Sequence, residues 1–274
     1  VNREEAEPMK PAVELSDVTH VYVNDKGAFL AVEGIGFTLE YGQIVSLIGP
    51  SGCGKTTVLS MIAGLIKPTE GKIEVGGERV AGPSRKIGYM LQQDYLFPWR
   101  TILDNATIGL ELNGLLNEKS KAETARLLDE MGLAGTENRY PHQLSGGMRQ
   151  RAAFVRTLAT SPELLLLDEP FSALDYQTKL KLEQFVANTL KSKNKTALLV
   201  THDISEAIAM SDRIIMMDRN PGRIRKQFAV PEPVRRADPL KARELPEFHR
   251  LFNMIWSEFE VLESAGGMHY ETGH

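Results

Sequence analysis

Gly49-Pro50-Ser51-Gly52-Cys53-Gly54-Lys55-Thr56-Thr57 organises the rest of the chain around it. It matches G-x-x-x-x-G-K-[ST], and its flanks have the right character. An apolar, β-branched run, Ile44–Ile48, precedes it, and a helical pattern over residues 58–64 follows. Glycine-rich turns alone are common, but strand, turn and helix start together make a phosphate site. The glycines let the chain curl so that successive N–H groups point at one anion. The helix that begins there adds unpaired N–H groups and the positive end of its dipole. Lys55 brings a full charge to the β- and γ-phosphates, and the Thr56 hydroxyl is placed to ligate Mg²⁺. Taken alone, the loop predicts binding of a nucleoside triphosphate and says nothing about its purpose.

Composition narrows the classes. The 274 residues are 25% charged and 42% hydrophobic, which suits a globular chain with one large core, or one core plus a subdomain. A net charge of −4 argues against a nucleic-acid partner. Cys53 is the one cysteine, so no internal disulfide is expected and a reducing compartment is the natural reading. It occupies an x position of the motif and reads as tolerated filler, with nothing nearby to lower its pKa. No run approaches 18 apolar residues, so the chain is not expected to span a membrane by itself. Residues 1–10 are polar and acidic, unlike a signal peptide. There is no internal repeat and no low-complexity tract.

Working outward from the loop, residues 13–15 and 35–39 read as strands, the second alternating in and out. Between them lie Val18-Thr19-His20-Val21-Tyr22 and a turn-rich segment, Asn24-Asp25-Lys26-Gly27. Tyr22 reads either as a core or edge tyrosine or as a flat platform for a nucleotide base. Past the loop helix, residues 72–75 and 86–91 read as strands. The latter ends in Gln92-Gln93-Asp94, and a polar amide beyond a buried strand's carboxyl end lies where open α/β sheets bind ligands. Leu96-Phe97-Pro98-Trp99-Arg100 follows, an apolar cluster rimmed by charge that is either local core or a docking patch.

Residues 101–160 turn helical, with helices predicted over 102–112, 122–131 and 147–158. A strandless stretch of this length between strands of one sheet reads as an inserted subdomain. Within it, Ser145 is a candidate N-cap, and Gly146 and Gly147 leave N–H groups free at a helix start. That is either a plain cap or a second anion site lacking a lysine. The run Glu163-Leu164-Leu165-Leu166-Leu167-Asp168-Glu169-Pro170 predicts a strand buried on both faces and ending in two carboxylates. Successive strand residues point to opposite sides, so Asp168 and Glu169 are expected to do different jobs. Asp168 would hold Mg²⁺, directly or through its water, across from Thr56; Glu169 would polarise a water for attack on the γ-phosphate. Ser172-Ala173-Leu174-Asp175 starts a helix running to about residue 190. Residues 197–200 are a buried strand ending in Thr201-His202-Asp203, which makes His202 a candidate ligand-facing group. Residues 213–217 and 223–228 complete the sheet around the turn Asn220-Pro221-Gly222. Pro231-Glu232-Pro233 and Pro239 then read as linker. Leu245, Phe248, Phe252, Ile255 and Phe259 fall near helical spacing. That amphipathic helix is expected to pack on the main domain or a dimer mate, because its other face is not rich in Lys or Arg. Residues 266–274, with His269 and His274, read as frayed.

In this order and spacing the motifs resemble the ATP-binding subunit of an ABC transporter, over nearly the whole chain. Residues 49–57 resemble Walker A, and 164–169 resemble Walker B with Glu169 as its catalytic carboxylate. Leu144-Ser145-Gly146-Gly147-Met148-Arg149-Gln150 resembles the ABC signature, with Met148 where Gln is more usual. Gln92 matches the Q-loop, Ser172 to Asp175 the D-loop, His202 the switch histidine and Tyr22 the A-loop aromatic. Phe97-Pro98-Trp99-Arg100, Gly222-Arg223 and the tail resemble, more narrowly, the bacterial nitrate/sulfonate/taurine importer branch.

The resemblance implies an α/β fold: a P-loop NTPase core with a mixed, largely parallel sheet, an antiparallel β subdomain and an inserted α-helical subdomain. The ATPase domain would span 11–230 with the insertion near 101–160, and 231–274 would be a linker and amphipathic helix. ATP and Mg²⁺ are implied, with Thr56, Gln92 and Asp168 serving the metal and Glu169, His202 and Gln92 the chemistry. Nucleotide contacts are implied for Tyr22, Gly49, Pro50, Ser51, Gly52, Cys53, Gly54, Lys55, Thr56, Thr57, Ser145, Gly146, Gly147 and Asp175. Two subunits, identical or paralogous, would meet head to tail, so that Ser145-Gly146-Gly147 of one faces the γ-phosphate held by Lys55 of the other. Integral-membrane permease subunits would dock between the helical subdomain and Gln92, near Phe97 and Trp99, with a solute-binding protein acting indirectly. The implied place is peripheral, on the cytoplasmic face of the inner membrane. ATP would close the dimer, hydrolysis would open it, and the motion would drive alternating access. The runner-up is a soluble ABC ATPase acting on DNA or ribosomes. Such proteins usually carry two cassettes or a coiled coil splitting the cassette, and this chain has neither. An ABC transporter for another substrate stays open, because substrate contacts lie in other subunits.

Overall fold

Ile35, Phe37 and Leu39 are buried while Gly36 and Thr38 are exposed, the period of two that one solvated sheet face imposes. They lie on β2 (Gly27–Leu39), which pairs antiparallel with β1 (Val13–Asn24). β3 (Ile44–Ile48) is buried at every position and runs through the phosphate loop into α1 (Lys55–Ile62). β4 (Glu70–Val75) and β5 (Glu78–Arg79) complete an antiparallel sheet of order β2-β1-β4-β5. β6 (Ile87–Met90) begins the far edge of a second sheet. The insertion carries α2 (Ile102–Leu112), α3 (Glu118–Glu130), the short turn of 3-10 helix Pro141–Gln143 and α4 (Gly146–Ala159). β7 (Leu164–Asp168), α5 (Tyr176–Ser192), β8 (Thr196–Val200), α6 (Ile204–Met210), β9 (Arg213–Met217) and β10 (Ile224–Ala229) close the second sheet in the order β10-β9-β3-β8-β7-β6. Every neighbouring pair in it is parallel except β10 with β9. The architecture is therefore the predicted α/β class: a largely parallel sheet, an antiparallel β subdomain and a helical insertion. The structure is a computed structural model, and it describes residues 10–25, 27–172 and 174–267, with side chains in the final helix described to Leu262.

The leucine run of β7 explains how the layers join. Leu165 and Leu167 pack with Ile102, Ala106 and Phe154 of the insertion, while Leu164 and Leu166 pack with Val58, Ile35 and Leu39 on the opposite face. A strand covered on both faces has no polar side to show, which is why its sequence does not alternate.

The C-terminal segment differs from expectation. The stretch that reads as linker forms α7 (Glu232–Arg236) and α8 (Pro239–Ala242), and α9 (Pro246–Gly267) follows. Its prolines stand in the first turns, where the missing N–H is one the helix leaves unpaired anyway. Val234, Ala242, Phe248, Leu251 and Ile255 bury in one cluster with Ile48 and Ile208, so this chain's own domain covers the amphipathic face. Residues 1–9 and 268–274, including His269 and His274, lie outside the described residues.

Candidate nucleotide site

The phosphate loop leaves β3 at the carboxyl edge of the parallel sheet, between β8 and β9. Gly54 caps α1 with φ 90, a left-handed backbone, and a Cβ there would press to 3.2 Å from Ala31 O. Lys55 is buried beneath the curl, and its Nζ donates to Gly49 O at 2.8 Å and Pro50 O at 3.0 Å. Lys55 also lines the cavity that the loop borders. Thr56 Oγ1 donates to Asp168 Oδ2 at 2.8 Å, which joins the first turn of α1 to the end of β7. Burial pushes the Asp168 carboxyl up, and Glu169 adds to this against the opposing pull of Thr56 and Lys55.

Cys53 corrects one expectation. Something nearby does lower its pKa: Lys55 Nζ lies 3.6 Å from Sγ. Burial is the larger effect, so the thiol is still pushed up and stays inert.

Glu169 lies just past β7, not on it. Its φ of 48 is left-handed, its N–H donates to Val200 O at 2.9 Å and its carbonyl accepts from Ser172 Oγ at 3.0 Å. The two carboxylates are thus parted by a turn, where sequence reasoning invoked strand alternation. The turn brings Glu169 Oε1 to 3.3 Å from His202 Nδ1, and Oε2 accepts from Gln92 Nε2 at 3.2 Å. Gln92 follows β6, Glu169 follows β7 and His202 follows β8, so three adjacent parallel strands aim their ends at one carboxylate. The Gln92 amide faces Glu169 here, and the Thr56–Asp168 pair stands apart from it as the hard-oxygen pair.

Tyr22 lies beside the loop. Its Oη is 3.3 Å from Thr57 Oγ1, its ring meets His20 edge-on at 4.5 Å, and it is 41% exposed. A cavity of about 450 Å³ runs from Tyr22 and Phe29 past Ser51, Lys55 and Thr56 to Gln92 and Glu169. Phe29 was missed in the sequence reading, although the hairpin held the signal. Asn24 pairs with Gly27, so counting outward sets Tyr22 opposite Phe29 on the same face.

Ser145 caps α4, accepting from Met148 N at 3.3 Å, and Asp175 caps α5, accepting from Thr178 N at 3.0 Å. Hydrogen bonds from Thr178 hold the Asp175 carboxyl below its ordinary range. Neither of them, nor Gly146 or Gly147, lines the nucleotide cavity. Gly146 lines a second cavity of about 430 Å³ with Gln92, Gln93 and Asp94. Sequence reasoning also missed what binds the Gln92 loop to α4. Arg149 Nε donates to Asp94 Oδ2 at 2.9 Å, and Arg156 donates to Asp94 O at 2.7 Å and Tyr95 O at 2.9 Å. Buried Gln150 donates to Glu169 O at 3.3 Å. The i, i+7 spacing of the two arginines on one helix face was the available hint. The apolar cluster beyond Gln92 divides: Leu96 is buried, while Trp99 is 71% exposed with its ring 5.4 Å from that of Phe97.

Comparison with known proteins places similarity around this geometry. A family model described as "ABC transporter" matches residues 32–172. An uncharacterized ABC transporter ATP-binding protein of Bacillus subtilis is 53% identical over 92% of this chain and 97% of its own length. The nitrate import ATP-binding protein of Synechocystis is 38% identical over 89% of this chain and 94% of its own. The taurine import ATP-binding protein of Escherichia coli is 42% identical over 76% and 81%. Among solved structures, a dimeric ATP-binding cassette in a post-hydrolysis state bound to ADP and Pi is similar with a TM-score of 0.73 and 32% identity, covering 80% of this chain and 99% of that one.

Proposed function

The chain belongs to the ABC transporter family as an ATP-binding protein, and from that premise we propose that it closes head to tail on ATP and powers import of a small solute such as nitrate, sulfonate or taurine. One observation carries the reading. Glu169 is held between His202 and Gln92, next to but separate from the Thr56–Asp168 pair. That sets one carboxylate in place to act on water and a second, separate one in place to hold a cation.

The chemistry follows from the residues. Loop N–H groups and Lys55 bind the β- and γ-phosphates, and Tyr22 with Phe29 offers ring faces for the base. Glu169 orients the attacking water and takes its proton; the His202 contact and the Gln92 amide fix its carboxylate for that step. A hydroxyl beside a buried carboxylate oxygen suits a small hard cation, so Thr56 and Asp168 would hold Mg²⁺, and Gln92, whose amide nitrogen donates to Glu169, would offer its carbonyl oxygen to the same cation. When bound, Mg²⁺ neutralises charge on the β- and γ-phosphate oxygens. The capped helix start at Ser145, Gly146 and Gly147, outside the chain's own cavity, supports a second subunit supplying it across the interface, with Asp175 beside that seam.

The same reading divides the chain into an ATPase domain over 11–230, a helical insertion near 101–160 and a C-terminal appendage over 231–274. Exposed Trp99, four residues beyond the Asp94–Tyr95 segment that Arg149 and Arg156 tie to α4, is the proposed contact for membrane permease subunits. No helix among the described residues is long and apolar enough to cross a membrane. By analogy with the import ATP-binding relatives, the chain is proposed to work peripherally, on the cytoplasmic face.

The deciding experiment pairs two variants. Glu169→Gln keeps shape but loses the base, so hydrolysis falls by about 10²–10⁴ while ATP still binds. The uncleaved ATP traps a dimer detectable by sedimentation or cross-linking, and Ser145→Arg abolishes that dimer. Parent-rate hydrolysis by Glu169→Gln overturns the base, and an intact trapped dimer in the Ser145→Arg double variant overturns the head-to-tail site. The solute is read from liposomes holding the assembled transporter, where nitrate or taurine with its binding protein raises ATPase activity. Stimulation by neither overturns the substrate class alone.

A further inference from the structure

Behind the candidate site, α5, α6 and α8 enclose a group of charges that the nucleotide chemistry does not use. Lys179, on the first turn of α5, places Nζ 2.8 Å from Asp203 Oδ2, 2.8 Å from Glu206 Oε2 and 3.8 Å from Glu183 Oε1. Glu183 is fully buried, and its Oε2 accepts from Arg243 at 2.5 Å. Arg243 belongs to the C-terminal segment, and its Nη1 also donates to Pro239 O at 2.9 Å, which fixes the guanidinium on α8. A continuous chain of ionic contacts therefore runs Arg243–Glu183–Lys179–Asp203.

The far end of that chain reaches the chemistry. Asp203 directly follows His202. Its Oδ1 accepts from Ser205 N at 2.8 Å and Glu206 N at 3.1 Å, and its own N–H donates to Thr201 Oγ1 at 3.0 Å. The turn that brings His202 to 3.3 Å from Glu169 is thus held on its downstream side by Lys179. Lys179 lies one helical turn beyond Asp175, so it also ties the start of α5 to that turn. Buried ion pairs are weak devices for stability, because desolvation offsets most of their attraction. What such a cluster supplies well is one defined arrangement of the elements it joins.

We infer that Arg243 is a positioning residue for ATP hydrolysis: through Glu183, Lys179 and Asp203 it holds the His202 turn, so that docking of the C-terminal segment sets the rate of cleavage. This rests on the reading of Glu169 and His202 as the hydrolytic pair. A cavity of about 320 Å³ lies between Arg243, Phe248 and Phe252 on the segment and Lys179 on α5.

The test uses the full chain with Mg²⁺ and ATP, comparing Arg243→Ala, Arg243→Lys and Glu183→Gln with the parent. Arg243→Ala is expected to lower kcat by about 3- to 30-fold, the range that single residues in a coupling network command. The KM for ATP and the calorimetric affinity for a non-hydrolysable ATP analogue stay within about twofold. The His202 ring resonance, assigned through His202→Asn, moves with Arg243→Ala; Arg243→Lys restores most of the rate, and Glu183→Gln, of unchanged shape, reproduces the loss. A lowered Tm with parent kcat and an unmoved His202 resonance overturns the inference and makes the cluster structural. Should Arg243→Ala not fold, Glu183→Gln with the resonance decides. Glu169→Gln is the control. If it retains parent activity, the hydrolytic reading fails by itself; if it is inactive while Glu183→Gln and Arg243→Ala keep parent kcat, only the present inference falls.

Discussion

Replacing Gly222 by alanine should disable the phosphate loop from behind. Gly222 N–H donates to Ala31 O at 3.0 Å, and its carbonyl accepts from Glu33 N at 2.9 Å, so the turn before β10 is pinned to β2. A methyl group there would stand 3.0 Å from Ala31 O, 3.1 Å from Cys53 C, and nearer still to Cys53 O. All of these are backbone atoms, so no flexible side-chain end can yield. Ordinary non-bonded contact needs roughly 3.5 Å, and restoring it requires the Cys53 peptide or the turn to retreat by on the order of 1 Å. Cys53 precedes Gly54 and Lys55, and Gly54 is itself crowded against Ala31 and Val32, so the displacement goes into the loop. Such overpacking costs about 1–3 kcal/mol of stability, and a misplacement of about 1 Å at a reacting group costs on the order of 10² in rate. Calorimetric unfolding should show a Tm lowered by a few degrees. Steady-state assays should show kcat/KM lowered about 10- to 100-fold, well beyond the unfolded fraction at 25 °C. Gly82→Ala is the control: a Cβ there meets nothing within 4 Å, and it should change neither quantity. Parent Tm and parent kcat/KM in Gly222→Ala would refute the buttress.

Other outcomes bear on separate parts of the account. Lys55→Ala should abolish tight ATP binding, since each charge-assisted hydrogen bond is worth roughly 1.5–3 kcal/mol; calorimetry showing parent affinity in a folded variant would sink the loop assignment. Changing Phe97 and Trp99 together to alanine should weaken co-purification with the permease while leaving ATP affinity and Tm in place, because Trp99 is exposed. A lowered Tm with undiminished co-purification would make the pair core. Burial pushes the Glu206 carboxyl from its ordinary 4.5 up to about 7, with Lys179 pulling the other way. Between those values the folded chain keeps a proton that the unfolded chain has lost, so stability is greatest below 4.5 and falls as pH rises through about 7. The integrated loss is roughly 3 kcal/mol, and Glu206→Gln should flatten it. Urea denaturation at pH 5 to 8 measures the slope, and an unchanged slope in the variant would exclude Glu206 as its source.

What the chain determined by itself was everything carried by local pattern. The alternation of Ile35, Phe37 and Leu39, the leucine run of β7 and the helical spacing of residues 102–112 each set an element, because burial on one face or two imposes its period on consecutive residues. The loop from Gly49 to Thr57 is local too: its function resides in its own backbone N–H groups and the helix that follows. Gln92 and His202 could be singled out as candidates because each lies just past the carboxyl end of a parallel strand. Tertiary structure alone decided the rest. Glu169 points at His202 because its N–H found Val200 O and its backbone turned left-handed, and no neighbour in sequence requires that. The prolines at 233 and 239 start helices, where sequence suggested a linker, because Val234 and Ala242 had apolar surface to bury against. Arg243 meets Glu183 from 60 positions further along the chain. Hydrogen bonds and ion pairs act over a few ångströms of space, and sequence periodicity records only which face is buried, not which distant atom fills it.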